Sequence, residues 1–350
     1  MYAKCGCMVT AQQVFDRLQV RNVVSWTALI TGNARLGYTH KALECFQQMQ
    51  LEGISPNELT FVAVLKACSN DRTMYKGQEV HVKIDQMGLL ASNTILGSTL
   101  VDMYAKHGFL DKAQETFDKL ANRDVIVWTS LISGYSENGH CEEALKHLEQ
   151  MKLNGISPDV VSFVCGLKAC GTSRAKSKGL EIHSEITIKG LADTDVITKS
   201  LVDMYARCGL LGDAQLLFNE IKLRDVVSWN SLINGYAQLK ESENVFYFFK
   251  KMLGEGMKPD AVTFVIVLSV CSRVYMIEKS QTYFEAMSEE YGIRPMLEHY
   301  SCMTDVLIHV GRMVTNIQQP HFVDWQKILC ACKHLGNSEL GRLAFQHAIL

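Results

Sequence analysis

The stretch VIVWTSLISGYSENGHCEEALKHLEQMKLNGISPD, residues 125–159, contains two helical patterns separated by a turn. In the first pattern, apolar residues from Trp128 to Tyr135 recur at positions i, i+3, i+4 and i+7, which is one face of a helix. The Asn-Gly pair that follows favours a turn. A second apolar face runs from Ala144 to Met151, and the glycine and proline after it are typical of a helix end. The stretch therefore predicts a helical hairpin of 35 residues.

The landmarks of this hairpin recur along the chain at a fixed interval. Trp26, Trp128 and Trp229 are separated by 102 and 101 residues. The strings MYAKCG, MYAKHG and MYARCG begin at residues 1, 103 and 204, so they are separated by the same 102 and 101 residues. A fixed internal period is the signature of a repeat protein.

Each period divides into three hairpins, and the boundaries between them are marked by Pro-Asp, Arg-Asp or a similar pair of residues. The predicted repeats are 23–57, 58–93, 94–124, 125–159, 160–195, 196–225, 226–260 and 261–296. They are flanked by a partial short repeat at 1–22, a degenerate repeat at 297–322 and a partial C-terminal extension at 323–350. The prediction is an all-α solenoid of antiparallel helical hairpins, in which each hairpin buries its apolar faces against its neighbours.

Composition narrows the class of protein further. The 350 residues are 47% hydrophobic and 21% charged, which is typical of a globular chain. The sequence contains no apolar run of about 18 residues, the length that would predict a membrane span. Three of the twelve cysteines, Cys68, Cys170 and Cys271, recur with the period in a small-residue position, and we expect them to be buried packing residues. The net charge of −2 argues against nucleic-acid binding, which usually requires a basic surface.

The sequence contains no recognisable catalytic centre. A zinc-dependent deaminase needs H-x-E followed by P-C-x-x-C. The strings HCE at 140–142 and HSE at 183–185 are not followed by any C-x-x-C. A phosphate-binding loop of the form G-x-x-x-x-G-K-[ST] is also missing. We therefore expect a protein that is not an enzyme and that holds no metal or other cofactor.

The cycle of three repeat lengths, with the strings VVSWTALI (23–30), LVDMYAKHG (100–108) and LKAC (65–68), resembles the pentatricopeptide repeat family of plant organelle RNA-binding proteins. It is most similar to the PLS subclass, which is associated with site-specific RNA editing, and 323–350 resembles the start of an E-type extension. The resemblance covers nearly the whole chain and implies a right-handed superhelical solenoid.

The same resemblance implies a function and a location. It implies sequence-specific binding of single-stranded RNA, which guides C-to-U editing or other RNA processing in a mitochondrion or chloroplast. Catalysis would come from a partner in trans, such as a DYW-type deaminase, and neither a membrane nor a small-molecule substrate is implied. No targeting peptide is visible in this chain.

In such arrays one repeat reads one base through two or three side chains. The resemblance assigns the reading positions to the fifth and last residues of a repeat. The assigned pairs are Thr27 with Asn57, Ser98 with Asp124, Thr129 with Asp159, and Asn230 with Asp260. Read by the family's code they imply the core 5′-A-n-G-G-n-n-U-3′. Three long repeats carry a valine at the fifth place, and Lys199 in the shortened repeat is not assigned.

Several alternatives remain open from the sequence alone. The terminal Asn and Asp residues also suit helix N-caps. Lys4, Lys106 and Arg207 end first helices, where they are candidate phosphate contacts or favourable partners of the helix dipole. The recurrent tryptophans are expected in the core rather than as base-stacking platforms. A protein-binding scaffold of the tetratricopeptide type and a non-functional fragment are the rival interpretations, since MYAKCG reads as the interior of a helix and Met1 as an internal methionine or a truncated start.

Overall fold

A computed structural model of the protein describes residues 2–3, 5–69, 73–90, 93–192 and 194–314. Every regular element among these residues is an α-helix, so the predicted all-α fold is confirmed. The chain divides into two compact units, Met1–Ala192 and Asp193–Leu350. None of the helices within the described residues combines the length and apolarity needed to cross a membrane.

The first unit contains eleven helices among its described residues. They are α1 (Met8–Asp16), α2 (Val23–Arg35), α3 (Thr39–Leu51), α4 (Glu58–Ser69), α5 (Met74–Gln86), α6 (Thr94–Lys106), α7 (Leu110–Lys119), α8 (Val125–Glu137), α9 (Cys141–Leu153), α10 (Val160–Ser173) and α11 (Lys176–Ile188).

The second unit contains seven helices among its described residues. They are α12 (Asp195–Arg207), α13 (Leu211–Glu220), α14 (Val226–Gln238), α15 (Ser242–Gly254), α16 (Ala261–Arg273), α17 (Ile277–Glu289) and α18 (Leu297–Val314).

Within each unit the helices form two layers. The first helices of successive hairpins pack side by side, α2 on α4, α6, α8 and α10 in turn, and α12 on α14, α16 and α18 in turn. Each second helix packs on the first helix of its own hairpin, and most also contact the first helix of the next. Because every hairpin contacts only its neighbours, each unit is a stack of the kind that the repeat predicts.

Polar N-caps start the first helices. The side chains of Asn22, Asp124, Asp159, Asp225 and Asp260 accept hydrogen bonds from backbone N–H groups in the first turn of α2, α8, α10, α14 and α16. An N-cap of this kind stabilises a helix by about 1 kcal/mol. The N-cap role predicted for the terminal Asn and Asp residues is confirmed.

The recurrent tryptophans form the core between neighbouring hairpins. Trp128 lies edge-on to Phe117 with ring centroids 4.7 Å apart, and the guanidinium carbon of Arg123 lies over the same phenylalanine, 4.7 Å from the ring centroid. The same aromatic pairs recur as Phe15 with Trp26 and Phe218 with Trp229. All three tryptophans are at most 3% exposed, which confirms their prediction as core residues.

The recurrent cysteines are also packing residues. Cys68, Cys170 and Cys271 are fully buried, and none of the three is in a disulfide. Burial raises the pKa of Cys271 to about 12, so its thiol stays protonated and unreactive at neutral pH. Their prediction as small buried packers is confirmed.

Two details differ from the sequence-based expectation. Residues 2, 3, 5 and 6 form turns rather than a helix. The helical pattern there contains too few residues to sustain a helix by itself. The helix α12 begins at Asp195, one residue before the predicted repeat boundary at 196. The predicted extension at 323–350 lies outside the described residues.

Candidate functional site

Three clusters of polar side chains recur where one first helix meets the next, and we call each a polar triplet. A triplet contains the fifth residue of a first helix, the residue before the next first helix, and the third residue of that next helix. The triplets are Thr27, Asn57 and Thr60; Thr129, Asp159 and Ser162; and Asn230, Asp260 and Thr263.

In the first triplet the hydroxyl of Thr60 is the centre. Its Oγ1 lies 2.7 Å from Oγ1 of Thr27 and donates to Oδ1 of Asn57 at 2.8 Å. The backbone N–H of Asn57 donates to the same hydroxyl at 3.2 Å. Asn57 thus holds the start of α4 and the hydroxyl of Thr60 together, and Thr27 joins them from α2.

The second triplet has the same arrangement with a serine at its centre. The hydroxyl of Ser162 donates to Oδ1 of Asp159 at 2.7 Å and lies 2.6 Å from Oγ1 of Thr129. The direct contact between Thr129 and Asp159 is longer, at 3.5 Å. The serine is therefore the shorter link between the two residues of the predicted pair.

The third triplet contains an amide in place of the threonine hydroxyl. Nδ2 of Asn230 donates to Oδ1 of Asp260 at 3.0 Å, and Oδ1 of Asn230 accepts from the hydroxyl of Thr263 at 2.7 Å. Burial alone would raise the pKa of Asp260. Hydrogen bonds have the larger effect and hold that pKa below its usual range; they come from the N–H and hydroxyl of Thr263 and from the amide of Asn230.

Burial differs within each triplet. The central hydroxyls of Thr60, Ser162 and Thr263 belong to residues that are 0% exposed. Asn57 and Asp159 are exposed, and Thr27, Thr129 and Asp260 are half-buried. The sequence identified two members of every triplet and missed the third. The available signal was the Ser or Thr three residues after each Asn or Asp, which is the N3 position of a helix.

The fourth predicted pair is not brought together. The hydroxyl of Ser98 donates to the carbonyl of Ile95, and Asp124 accepts from the N–H groups of Ile126 and Val127. The third residue of the next helix is Val127, which has no hydroxyl to link the two. The roles of Ser98 and Asp124 as a reading pair stay a prediction.

In the shortened repeat the structure supplies a pair that the sequence left unassigned. Because α12 begins at Asp195, Lys199 is the fifth residue of its helix, as Ser98 is of α6. Nζ of Lys199 contacts Oδ2 of Asp225 at 2.6 Å. Burial alone would raise the pKa of Asp225, but this ion pair and the hydrogen bonds from Ser228 hold it below its usual range.

A row of exposed aliphatic side chains lies beside these polar groups. The second residue of each first helix from α2 to α16 is Val, Leu or Ile, and each is between 53% and 69% exposed. In the first unit the row consists of Val24, Leu59, Ile95, Ile126 and Val161, and in the second unit it consists of Val196, Val227 and Val262. Within each unit this regular series of exposed apolar residues is a candidate binding surface. The sequence signal for this row was an apolar residue three places before the fifth residue of each repeat.

The cations predicted to contact phosphates are paired within their own helices. Lys106 contacts Asp102 at 2.8 Å, and Arg207 contacts Asp203 at 2.8 Å, both one turn earlier. Lys4 lies outside the described residues. A phosphate at either described site would compete with an aspartate, and the predicted phosphate contacts stay a prediction.

Two other lysines on first helices are not paired in this way. Lys66 of α4 and Lys168 of α10 are exposed. Each lies four residues, about one helical turn, after the fifth-place valine of its long repeat. The ion pairs formed by the described residues include neither of them. Both lysines lie in the same string, LKAC, at 65–68 and 167–170, but this pattern predicted no role for either of them.

The described part of the chain offers no cluster of three or more His, Cys, Asp or Glu side chains that could hold a metal ion. His140 is the N-cap of α9, and Cys141 begins that helix. The string at 183–185 lies inside α11. Both H-x-E strings are thus parts of repeat helices.

Comparison with known sequences identifies the repeats. The profile of the PPR repeat family matches residues 21–70, 123–172 and 224–273, and a second PPR repeat profile matches 98–125 and 196–226. The pentatricopeptide repeat-containing protein At2g33680 of Arabidopsis thaliana is 37% identical over 97% of this chain and 48% of its own length. The mitochondrial protein At2g03880 of the same plant is 34% identical over 100% of this chain and 56% of its own length. The chain spans about half the length of such relatives.

Comparison with solved structures supports the same architecture. The crystal structure of the pentatricopeptide repeat protein PPR10 in complex with an 18-nt psaJ RNA element superposes with a TM-score of 0.75. The match covers 87% of this chain and 46% of PPR10, at 22% sequence identity. At this identity the likeness shows that the two proteins share a fold.

Proposed function

The chain belongs to the pentatricopeptide repeat family, and on this premise we propose that it binds single-stranded RNA in a sequence-specific manner. The observation that carries the proposal is the polar triplet, because it presents a pair of hydrogen-bonding residues at the same place in successive standard repeats. Small polar side chains held in fixed positions can discriminate bases by their Watson–Crick edges. The reading residues are Thr27 with Asn57, Thr129 with Asp159, and Asn230 with Asp260; Ser98 with Asp124 completes the set.

The exposed aliphatic row supports the same function. A base has two flat apolar faces besides its polar edge, and branched aliphatic side chains between neighbouring triplets offer surfaces for those faces. Each triplet would then meet the edge of a base while the row meets its faces. Lys66 and Lys168 add positive charge on the first helices, which suits a backbone of phosphates.

The finer role that we propose is guidance of C-to-U editing or of another RNA processing step in an organelle. The PLS-like cycle of repeat lengths supports editing. The relatives in Arabidopsis thaliana include a chloroplastic protein, At1g15510, and a mitochondrial one, At2g03880. Catalysis would be supplied in trans by a partner such as a DYW-type deaminase, with no cofactor in this chain.

Titration of labelled RNA tests the proposal. The probes are a single-stranded oligonucleotide that contains 5′-A-n-G-G-n-n-U-3′, a scrambled oligonucleotide of equal composition, and a hairpin that pairs the same core. We expect the unpaired core to bind at least tenfold more tightly than either of the others, since paired bases have no free Watson–Crick edge.

A matched variant strengthens this test. In the triple variant Thr27→Ala, Thr129→Ala, Asn230→Ala the hydrogen-bonding groups of three fifth residues are removed, and the discrimination between core and scrambled RNA should be lost. Equal affinity of the wild type for all three RNAs would contradict the proposal. It would instead favour a protein-binding scaffold, with which the net charge of −2 agrees.

A further inference from the structure

We propose that the buried hydroxyl at the third place of the following first helix, in Thr60, Ser162 and Thr263, is a positioning residue for base recognition. It does not touch the base. It fixes the direction in which the fifth residue offers its proton, and so decides whether that residue meets the base as an acceptor or as both donor and acceptor. This inference rests on the proposed function and deepens it.

In the first triplet, the proton and both lone pairs of the central hydroxyl can be assigned to partners. A threonine hydroxyl has one proton to donate and two lone pairs that accept. In Thr60 the proton goes to Oδ1 of Asn57, and one lone pair accepts the backbone N–H of Asn57. Only a lone pair is left for the contact of 2.7 Å with Thr27. Thr27 must therefore donate its own proton inward, and only its lone pairs remain for a base.

The second triplet gives the same result. A carboxylate can only accept, so the single proton of Ser162 points to Asp159 at 2.7 Å. Thr129 then has to donate across the 2.6 Å contact with Ser162. The direct contact from Thr129 to Asp159, at 3.5 Å, is too long to hold this proton firmly by itself. Without Ser162 the hydroxyl of Thr129 would be free to rotate.

The third triplet produces a different outcome from the same buried hydroxyl. The carboxylate of Asp260 requires the NH₂ group of Asn230 to face it, so the oxygen of that amide faces Thr263. Oγ1 of Thr263 accepts the N–H of Asp260, and its single proton lies between two acceptors, the oxygen of Asn230 at 2.7 Å and Oδ1 of Asp260 at 2.9 Å. The contact with Asn230 is the shorter of the two. One N–H and one lone pair of Asn230 remain available. A triplet with Thr in the fifth place thus presents an acceptor alone, whereas a triplet with Asn presents a donor beside an acceptor.

The two outcomes match different base edges. Guanine presents two adjacent N–H donors on its Watson–Crick edge, which suit an acceptor. Uracil presents an N–H donor flanked by carbonyl acceptors, which suits a donor beside an acceptor. A fifth residue whose proton is not fixed would satisfy either kind of edge and would discriminate poorly.

The chain contains a matched control for the third-place hydroxyl. Ser228 occupies the same place in α14 and is also buried. Its hydroxyl bonds the backbone carbonyl of Asp225, accepts the N–H of Asp225 and contacts no fifth residue, because Lys199 binds the carboxylate of Asp225 instead. Removal of this hydroxyl weakens the cap of α14 but leaves every polar triplet intact.

The experiment compares Ser162→Ala, Ser162→Thr and Ser228→Ala with the wild type. Binding is measured for two RNAs that carry G or A at the fourth nucleotide of the core, the register of Thr129. We expect the preference for G to fall about tenfold in Ser162→Ala, to return in Ser162→Thr, and to keep its wild-type value in Ser228→Ala. Thermal unfolding should show similar losses of stability in the two alanine variants.

Other results separate this inference from the proposed function. A wild-type preference for G that survives in Ser162→Ala would overturn the positioning role alone. A wild type with no preference at this register would remove the proposed function, and the positioning role with it. If Ser162→Ala does not fold, Thr60→Val tests the same role at the first nucleotide of the core. In that variant the discrimination between A and U should fall, because the amino group of adenine suits an acceptor whereas uracil carries a carbonyl oxygen in its place, and an unchanged ratio would overturn the inference.

Discussion

Asn230 and Asp260 lie thirty residues apart in the chain, and the amide of the first donates a 3.0 Å hydrogen bond to the carboxylate of the second. The contact forms because Asn230 is the fifth residue of α14 while Asp260 caps α16, the first helix that packs beside it. One carboxylate therefore both starts a helix and orients a side chain of the preceding repeat. The two roles that the sequence left as alternatives for these aspartates are compatible in one residue.

Thr129→Asn tests whether the fifth residue chooses the base. The change gives the second triplet the same fifth residue and carboxylate as the third, with Ser162 in the place of Thr263. We expect the preference at the fourth nucleotide of the core to change from G to U, because rejection of a mispaired polar group is worth about 1–3 kcal/mol. Binding to two RNAs that differ only at this nucleotide measures it.

The control for this exchange is Thr129→Ser, which keeps a hydroxyl within reach of Ser162 and should keep the preference for G. If wild type and Thr129→Asn share one preference, residue 129 does not face a base.

Trp128→Ala tests the division between core and binding surface. Trp128 is 3% exposed against Phe117, so its removal should destabilise the protein by about 3–5 kcal/mol. Urea unfolding measures this loss. The neighbouring Ile126, 57% exposed, serves as the comparison: Ile126→Ala should leave stability within about 0.5 kcal/mol and weaken RNA binding.

The reverse pattern, with Trp128→Ala stable but unable to bind RNA, would identify the tryptophan as a stacking platform.

The sequence was sufficient to predict the hairpins and two members of each polar triplet, since both depend on local signals. Apolar periodicity gives the helices, and the Asn or Asp at each unit end gives the cap. The third member of a triplet depends on how closely neighbouring first helices approach. A Cβ on Gly134 of α8 would lie 2.4 Å from Cβ of Ala105 in α6, so these helices pack with almost no space between them. Such distances cannot be read from the sequence alone.

For Lys106 and Arg207, which the sequence predicted as phosphate contacts, a local signal for a different partner was present but was not used. Asp102 precedes Lys106 by four residues, and Asp203 precedes Arg207 by four, which is the spacing of helical ion pairs. This spacing predicts the pairing that the structure contains. The partnership of Lys199 with Asp225 depended instead on the start of α12, which the sequence placed one residue too late.

Lys66→Gln tests whether the unpaired lysines of the first helices contact phosphates. Each phosphate contact to single-stranded RNA contributes about −0.7 to the slope of log affinity against log salt. We expect Lys66→Gln to make this slope shallower by about that amount, with similar losses of affinity for core and scrambled RNA.

The matched control is Lys146→Gln, which removes an exposed lysine from α9, a second helix. It should leave the slope unchanged. Equal slopes for all three proteins would exclude Lys66 from the phosphate path.

The low pKa of Asp260 predicts how stability depends on pH. Because the folded-state pKa is depressed, the ionised carboxylate stabilises the folded protein above the unfolded-state pKa of about 3.9. This stabilisation is lost as the pH falls through the folded-state pKa. The wild type should therefore exceed Asp260→Asn in stability by more at about pH 7 than at about pH 3. Urea unfolding at both pH values measures the two differences, and a difference independent of pH would show that Asp260 is not preferentially ionised in the fold.

Lys199→Thr would create a fourth complete triplet. Two of its members already exist: Asp225 caps α14, and the hydroxyl of Ser228 lies buried at the third place of that helix. Lys199 now occupies the carboxylate of Asp225 with an ion pair of 2.6 Å, so we expect the wild type to show little preference at the sixth nucleotide of the core. A threonine at residue 199 would release the carboxylate and place a hydroxyl beside Ser228, as in the triplet of Thr129, Asp159 and Ser162.

The expected result is a new preference for G at the sixth nucleotide, of about tenfold over A, with the preference at the fourth nucleotide unchanged. Lys199→Val is the matched control, because it also breaks the ion pair but has no hydroxyl, and it should gain no preference. A new preference in Lys199→Thr alone would show that the triplet is sufficient to recognise a base, since nothing else at that repeat has been altered. Equal behaviour of the two variants would show that release of Asp225, rather than the completed triplet, governs binding at this position.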